Sequence, residues 1–137
     1  ISVPGAIGAK LVHPEKKILA VCGDGGFMMN CQEFETALRA KTPFVTLVFN
    51  DSSYGLIKWK QMDQYGKSCC VDFTNPDFVK FAESMGAIGY RITKAEDLVP
   101  TLKKAFEQNV PVIIDCPVDY AENTKLTAHL KELMEKL

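Results

Sequence analysis

The chain alternates between two kinds of run. Four short stretches are almost continuously apolar: "KILAVCG" (17–23), "PFVTLVFN" (43–50), "AIGYRI" (87–92) and "VPVIIDCPV" (110–118). Runs of this length without polar alternation predict strands buried on both faces. Between them, apolar residues recur at helical spacing. "PGAIGAKLVHP" (4–14) predicts a short helix, with Pro4 in its first turn and Pro14 ending it. Gly5, Gly8 and Ala9 give it a face of small residues, suited either to tight packing on a sheet or to the close approach of a ligand. Asn30-Cys31-Gln32-Glu33 has capping-box spacing and predicts a helix over 31–41 that buries Phe34, Ala37 and Leu38. "YGLIKWKQMDQYG" (54–66) reads as mixed loop and short helix. Asn75-Pro76-Asp77 starts a helix carrying Phe78, Phe81, Ala82 and Met85, and Gly86 stops it. "KAEDLVPTLKKAFEQN" (94–109) is helical in pattern, with Pro100 either kinking it or marking its true first turn. The tail (124–137) is amphipathic, with Leu126, Leu130, Leu133 and Leu137 on one side and His129 among the solvated residues.

Strand and helix alternate throughout, so the expected fold is α/β: a three-layer parallel sheet with helices on both faces. Such sheets bind ligands beyond the carboxyl ends of their strands. Residues 1–137 make one domain's worth of chain. The opening "ISVPGAIGAKL" starts at Ile1 rather than Met and reads as the middle of a longer protein, truncated at its N-terminus.

Composition adds mainly exclusions. A net charge of −1 gives no electrostatic reason to expect nucleic acid or an anionic membrane as partner. No apolar run reaches the roughly 20 residues of a membrane span. Five cysteines fall in no CxxC or His-paired spacing. Cys22, Cys31 and Cys116 read as small core residues, and the adjacent pair Cys69-Cys70 as thiols in a reduced, cytoplasmic setting.

The candidate chemistry lies at two strand ends. The first apolar run stops at Gly23-Asp24-Gly25-Gly26, and the second at Asn50-Asp51-Ser52-Ser53-Tyr54-Gly55. Glycines let the backbone approach a ligand and turn its N–H groups outward, which favours phosphate. Phosphates attract Mg2+, which takes hard oxygen donors in near-octahedral geometry and only one or two carboxylates. Asp24 offers a charged oxygen and Asn50 a neutral one. Alone, Gly-Asp-Gly reads as a tight turn with Asp24 capping the next helix; the pairing with Asn50 turns the reading toward a metal that pins a diphosphate.

The Gly-Asp-Gly element, followed after 24 further residues by Asn50, resembles the cofactor motif of thiamine-diphosphate-dependent enzymes. Position 51 carries Asp where that family often has a second Asn. Nearly the whole chain, including "GDGGFMMNCQEFETALR", "FNDSSYGLIKWKQ", "DFVKFAESMGAIGYRI" and "PVIIDCPVDYAEN", resembles the carboxyl-terminal diphosphate-binding domain of acetolactate synthases. The closing "PVDYAEN" is most similar to the catabolic members, whereas Trp59 is more similar to the biosynthetic ones.

The resemblance implies thiamine diphosphate and Mg2+ as cofactors, and leaves FAD open. It implies Asp24 and Asn50 as side-chain metal ligands and Ser52 as a main-chain one. Gly25 and Gly26 would donate N–H groups to the diphosphate, with Tyr54 and Gly55 closing the other side. Leu56 and Trp59 would border the substrate, pyruvate or another 2-oxo acid. Plain core packing competes at Tyr54, Leu56 and Trp59, and Lys58 and Lys60 read as solvated. The implied reaction joins two pyruvates to 2-acetolactate with release of CO2. Its catalytic glutamate would come from the pyrimidine-binding domain of a neighbouring subunit in a homodimer or homotetramer, leaving no catalytic residue in this chain and no activity for it alone. A related decarboxylase or carboligase is one alternative; a non-catalytic module for another phosphorylated ligand is a second. The GxGxxG dinucleotide pattern is broken by Gly-Asp-Gly-Gly-Phe-Met.

Overall fold

A computed structural model describes residues 1–120 of the chain. The amphipathic tail and its His129 lie outside the described residues. Helix α1 spans Ser2–Val12, strand β1 Leu19–Gly23, the short helix α2 Asp24–Met28, and helix α3 Glu33–Arg39. Strand β2 spans Val45–Asn50, helix α4 Gly55–Tyr65, helix α5 Phe78–Met85, and strand β3 Ile88–Arg91. A 3-10 turn, Ala95–Asp97, leads into helix α6, Leu98–Ala105, and strand β4 is Val112–Pro117.

The four strands form one sheet in the order β1-β2-β4-β3, and every pairing is parallel. Parallel neighbours need crossovers, which places helices on the sheet faces. On one face Val3, Ala6 and Ile7 of α1, Phe27 of α2, Phe34 and Ala37 of α3, and Phe78 and Ala82 of α5 form a single cluster. The rings of Phe34, Phe78 and Phe81 all meet Phe27 edge-on, at centroid distances of 5.3–5.9 Å. On the other face α6 lays Leu98, Leu102 and Ala105 against Val45, Leu47, Val112 and Ile114. The expected three layers are thus present.

Four local expectations change. β1 is an edge strand rather than one buried on both faces: Leu19 and Val21 are half exposed while Ala20 is buried. The capping box does not close; Gln32 stands at the start of α3 and makes no side-chain cap, because the chain from Asn30 enters α3 through consecutive i→i+3 turns. Gly5 and Gly8 of α1 face outward, and a Cβ at Gly8 would meet nothing, so these glycines do not serve packing on the sheet. The stretch read as mixed loop and short helix is helical almost throughout, as the 11-residue α4, ended by Gly66 in the left-handed region at φ 68°.

The second half follows its pattern more closely. Asp77 caps α5, accepting bonds from the N–H groups of Val79 and Lys80. Gly86 closes that helix at φ 85°. Pro100 falls in the first turn of α6, where its missing N–H costs no helical bond. Cys116 is buried, Cys22 and Cys31 are partly buried, and Cys69 and Cys70 are exposed thiols.

Candidate functional site

The carboxyl ends of all four strands converge on one polar cluster. Asp24 directly follows β1, Asn50 ends β2, Arg91 ends β3 and Asp115 lies within β4. Asn75, from the loop before α5, completes the group.

Asp24 is 1% exposed and uses both its oxygens. One accepts from the Gly25 N–H at 2.7 Å; the other accepts from the Ser52 N–H at 2.7 Å and from the Asn75 amide at 2.6 Å. The same Asn75 nitrogen donates to Asn50 Oδ1 at 3.0 Å and lies 3.5 Å from Ser52 Oγ. Oxygens from two separate strand ends therefore meet at one point, with a third close by. Asn75 Oδ1 is buried without a partner. Such an orphan is costly and marks polar sites whose hydrogen bonding is incomplete.

Asn50 is fixed from its other side. Its Nδ2 donates to Asp115 Oδ1 at 2.9 Å, and Arg91 Nε donates to Asp115 Oδ2 at 2.9 Å. Asp115 is a carboxylate inside an otherwise apolar strand, 1% exposed, and the guanidinium supplies its counter-charge. Arg91 also reaches Asp77 at 3.4 Å, linking the cluster to the cap of α5.

The loop after β2 wraps the same corner. Ser52 has φ 54°, a left-handed conformation for a non-glycine residue of the kind that concentrates at functional sites. Its carbonyl accepts from Phe73 N–H at 3.0 Å, and Tyr54 N–H donates to the Val71 carbonyl at 2.9 Å. The Tyr54 ring lies on Phe73, 4.8 Å between centroids, and covers Gly25 so closely that a Cβ there would stand 2.7 Å from the ring. At Gly55 a Cβ would stand 2.9 Å from Asp51 Oδ2. Burial, and then the charge of Asp24, push the Asp51 carboxyl above its ordinary value. Burial, and then the charges of Asp51 and Asp24, likewise raise Tyr120.

The residues singled out by sequence therefore divide. Asp24, Gly25, Asn50, Ser52 and Tyr54 come together, with Gly55 beside Asp51 and Gly26 exposed at the rim. Leu56 is 65% exposed on α4, and Trp59 is half-buried on the same helix. Lys58 pairs with Asp72 at 2.8 Å on the surface. Sequence reasoning missed Asp115 and Arg91 and read Asn75 only as the start of a helix. A lone carboxylate inside "VPVIIDCPV" was the available signal for Asp115. A cavity of about 630 Å³ opens at the opposite, amino end of the strands, beside Lys10, Lys16 and Lys41, and includes none of these residues.

The donor set tests whether a hard divalent cation fits. Asp24 Oδ2 and Asn50 Oδ1 are one charged and one neutral oxygen aimed at a common point, which suits Mg2+ completed by phosphate and water. Among the described residues no cluster of three His, Cys, Asp or Glu side chains forms an alternative metal site. The fold and this corner define a parallel α/β ligand-binding domain whose site is built at its strand ends.

Comparison with known proteins narrows that class. Residues 1–116 match the family model described as thiamine pyrophosphate enzyme, C-terminal TPP binding domain, and the chain belongs to that family. It is 44% identical to an acetolactate synthase of Bacillus subtilis (strain 168), over 93% of this chain and 22% of the relative. It is 35% identical to a catabolic acetolactate synthase of Raoultella terrigena, over 98% of this chain and 24% of the relative. A thiamine diphosphate-dependent 4-hydroxybenzoylformate decarboxylase of Rhodococcus jostii RHA1 superposes with a TM-score of 0.81 at 27% identity, over 88% of this chain and 23% of that one. The chain thus spans less than a quarter of the length of these relatives.

Proposed function

We propose that this chain is the diphosphate- and metal-holding part of an acetolactate synthase, which joins two pyruvates and releases CO2. One observation carries the reading: Asp24 Oδ2 and Asn50 Oδ1, brought from two strand ends, share a single donor at 2.6 and 3.0 Å. Asp24 and Asn50 would hold Mg2+ through their side chains, and Ser52 through its main-chain carbonyl. Gly25, Gly26, Tyr54 and Gly55 would line the diphosphate, and Leu56 and Trp59 would border the 2-oxo acid. When bound, thiamine diphosphate supplies the carbanion chemistry.

The protein's share here is to bind and orient. Asp24 is already tied by the Ser52 and Gly25 N–H groups, so its charged oxygen is held in place before a cation arrives. The glutamate that moves the cofactor's proton would come from a pyrimidine-binding domain of a neighbouring subunit, in a homodimer or homotetramer. The 137-residue chain alone is therefore expected to consume no pyruvate. Exposed Leu56, Ile57, Met62 and Tyr65 on α4, beside the cluster, support a site covered by another domain. A 2-oxo-acid decarboxylase is the second reading, favoured by the decarboxylase fold match.

Two measurements test this. Calorimetry on the full chain should give saturable heat with thiamine diphosphate plus Mg2+, lost in Asp24→Ala; heat with ATP or NAD instead would overturn the cofactor assignment. Product analysis of the full-length enzyme with pyruvate separates the enzymatic readings, acetolactate for a synthase and free aldehyde for a decarboxylase.

A further inference from the structure

A carboxamide has two ends of nearly equal shape and opposite character, and only the oxygen can serve a cation. Whatever fixes the orientation of Asn50 therefore decides whether the site can hold a metal at all. Asp115 is an acceptor-only group when ionised. It is 1% exposed, and Arg91 Nε holds its other oxygen at 2.9 Å. It must receive the N–H end of Asn50, as it does at 2.9 Å. That leaves Asn50 Oδ1 pointing to the place where Asp24 Oδ2 also points.

We infer that Asp115, locked by Arg91, is a positioning residue that fixes the amide of Asn50 with its oxygen toward the metal. The inference rests on the proposed function above. It adds a part for two residues that touch neither the Asp24 carboxylate nor the glycine turn. The chemistry is a relay of fixed polarity running from guanidinium to carboxylate, on to the amide N–H and finally to the amide oxygen. Each member leaves the next only one way to face. Outer partners of this kind commonly change metal affinity 10–100-fold when removed.

The relay can be reversed, which gives a sharp test. In Asp115→Asn, Arg91 still requires an oxygen at its end, so the new amide turns its nitrogen toward Asn50. Asn50 is then drawn to rotate its own oxygen inward, against the Asn75 N–H that also donates to it at 3.0 Å, and to present nitrogen to the metal. The expected result is a fall of about tenfold or more in Mn2+ affinity. The measurement is the free-Mn2+ paramagnetic resonance signal in the presence of thiamine diphosphate, on the full-length protein. In the exchanged pair Asn50→Asp with Asp115→Asn, the new amide donates to the new carboxylate, and an oxygen again faces the metal. Affinity should return to within about threefold of the starting protein. Because a carboxylate at position 50 also strengthens the site by its charge, Asn50→Asp alone is the control: a merely structural role for Asp115 makes the two changes additive, whereas the relay makes the pair bind more tightly than their sum predicts.

Four outcomes are informative. If the unaltered protein takes up no Mn2+ with thiamine diphosphate, the proposed function fails. If it binds, and Asp115→Asn binds within twofold of it, the positioning role alone is overturned. A weakened single variant that the exchanged pair leaves unrepaired, at unchanged circular dichroism, also overturns it. Should the single variant not fold, the exchanged pair decides: near-normal binding supports the relay, and its loss overturns it.

Discussion

Helices α4 and α5 end alike, each on a glycine in the left-handed region, yet they meet opposite fates. α5 sets Phe78 and Ala82 wholly inside the core and starts on the Asp77 cap. α4 is longer, has no side-chain cap, and buries none of its residues. It carries as many apolar side chains as α5 over a longer span, but Leu56, Ile57, Met62 and Tyr65 are spread around the helix and about half exposed or more. The difference teaches where this molecule spends its packing. The clusters on the two sheet faces, α5 among them, make the fold, while α4 extends beside the polar cluster as an exposed apolar surface.

The largest test of that contrast is Phe78→Ala. Removing a fully buried ring that meets Phe27 edge-on should cost about 3–5 kcal/mol in urea denaturation. An alanine at a glycine comes next. A Cβ at Gly89 would stand 2.6 Å from Val79 Cα and 2.8 Å from its carbonyl oxygen, so α5 itself must shift away from β3. Gly89→Ala is expected to cost about 1–3 kcal/mol. At Gly25 the obstacle is the Tyr54 ring, the movable end of an exposed side chain, so Gly25→Ala should destabilise less while weakening cofactor binding. Equal stability losses at the two glycines would erase the distinction between the regions.

Two carboxylates should show opposite signs in pH titrations of thermal stability. The Lys80 N–H, the Arg91 charge and the Val79 N–H hold Asp77 below its ordinary value of 3.8. Its support for α5 is therefore present above that value and lost as pH falls through the lowered one. Asp77→Ala should melt lower at neutral pH, with the gap closing on acidification. Asp51 is raised, chiefly by burial and then by Asp24, so its charged form is penalised in the folded state. That penalty is absent below 3.8 and complete above the raised value. Asp51→Asn should therefore melt higher at neutral pH and gain nothing at the acid end. The smallest effect belongs to Leu56→Ala on α4, within about 0.5 kcal/mol, since the side chain is 65% exposed. A loss comparable to that at Phe78 would mean α4 is a core element after all.

Much of this could be read in sequence where one signal dominated. Apolar runs located all four strands, and Asp77 with Gly86 bounded α5, because cap and stop residues act locally. β1 was misjudged because an apolar run does not say whether helices cover both faces of a strand, and the α6 cluster includes no residue of β1. The Asn30–Glu33 spacing failed because the turn geometry of the chain entering α3 overrode it. In the polar cluster, Asp24 and Asn50 could be singled out from their places at strand ends. Asn75, Asp115 and Arg91 were not, because their part depends on which strands are neighbours. β4 lies between β2 and β3, and only that order sets Asp115 between Asn50 and Arg91.

The edge position of β1 carries a practical consequence. β1 pairs with β2 alone among the described residues, Leu19 and Val21 are half exposed on one of its faces, and the strand contains no lysine or proline to discourage strand addition. At millimolar concentration, copies of this chain would tend to zip together along that border. Dilution, or a single lysine at position 21, is the remedy to try first for turbidity.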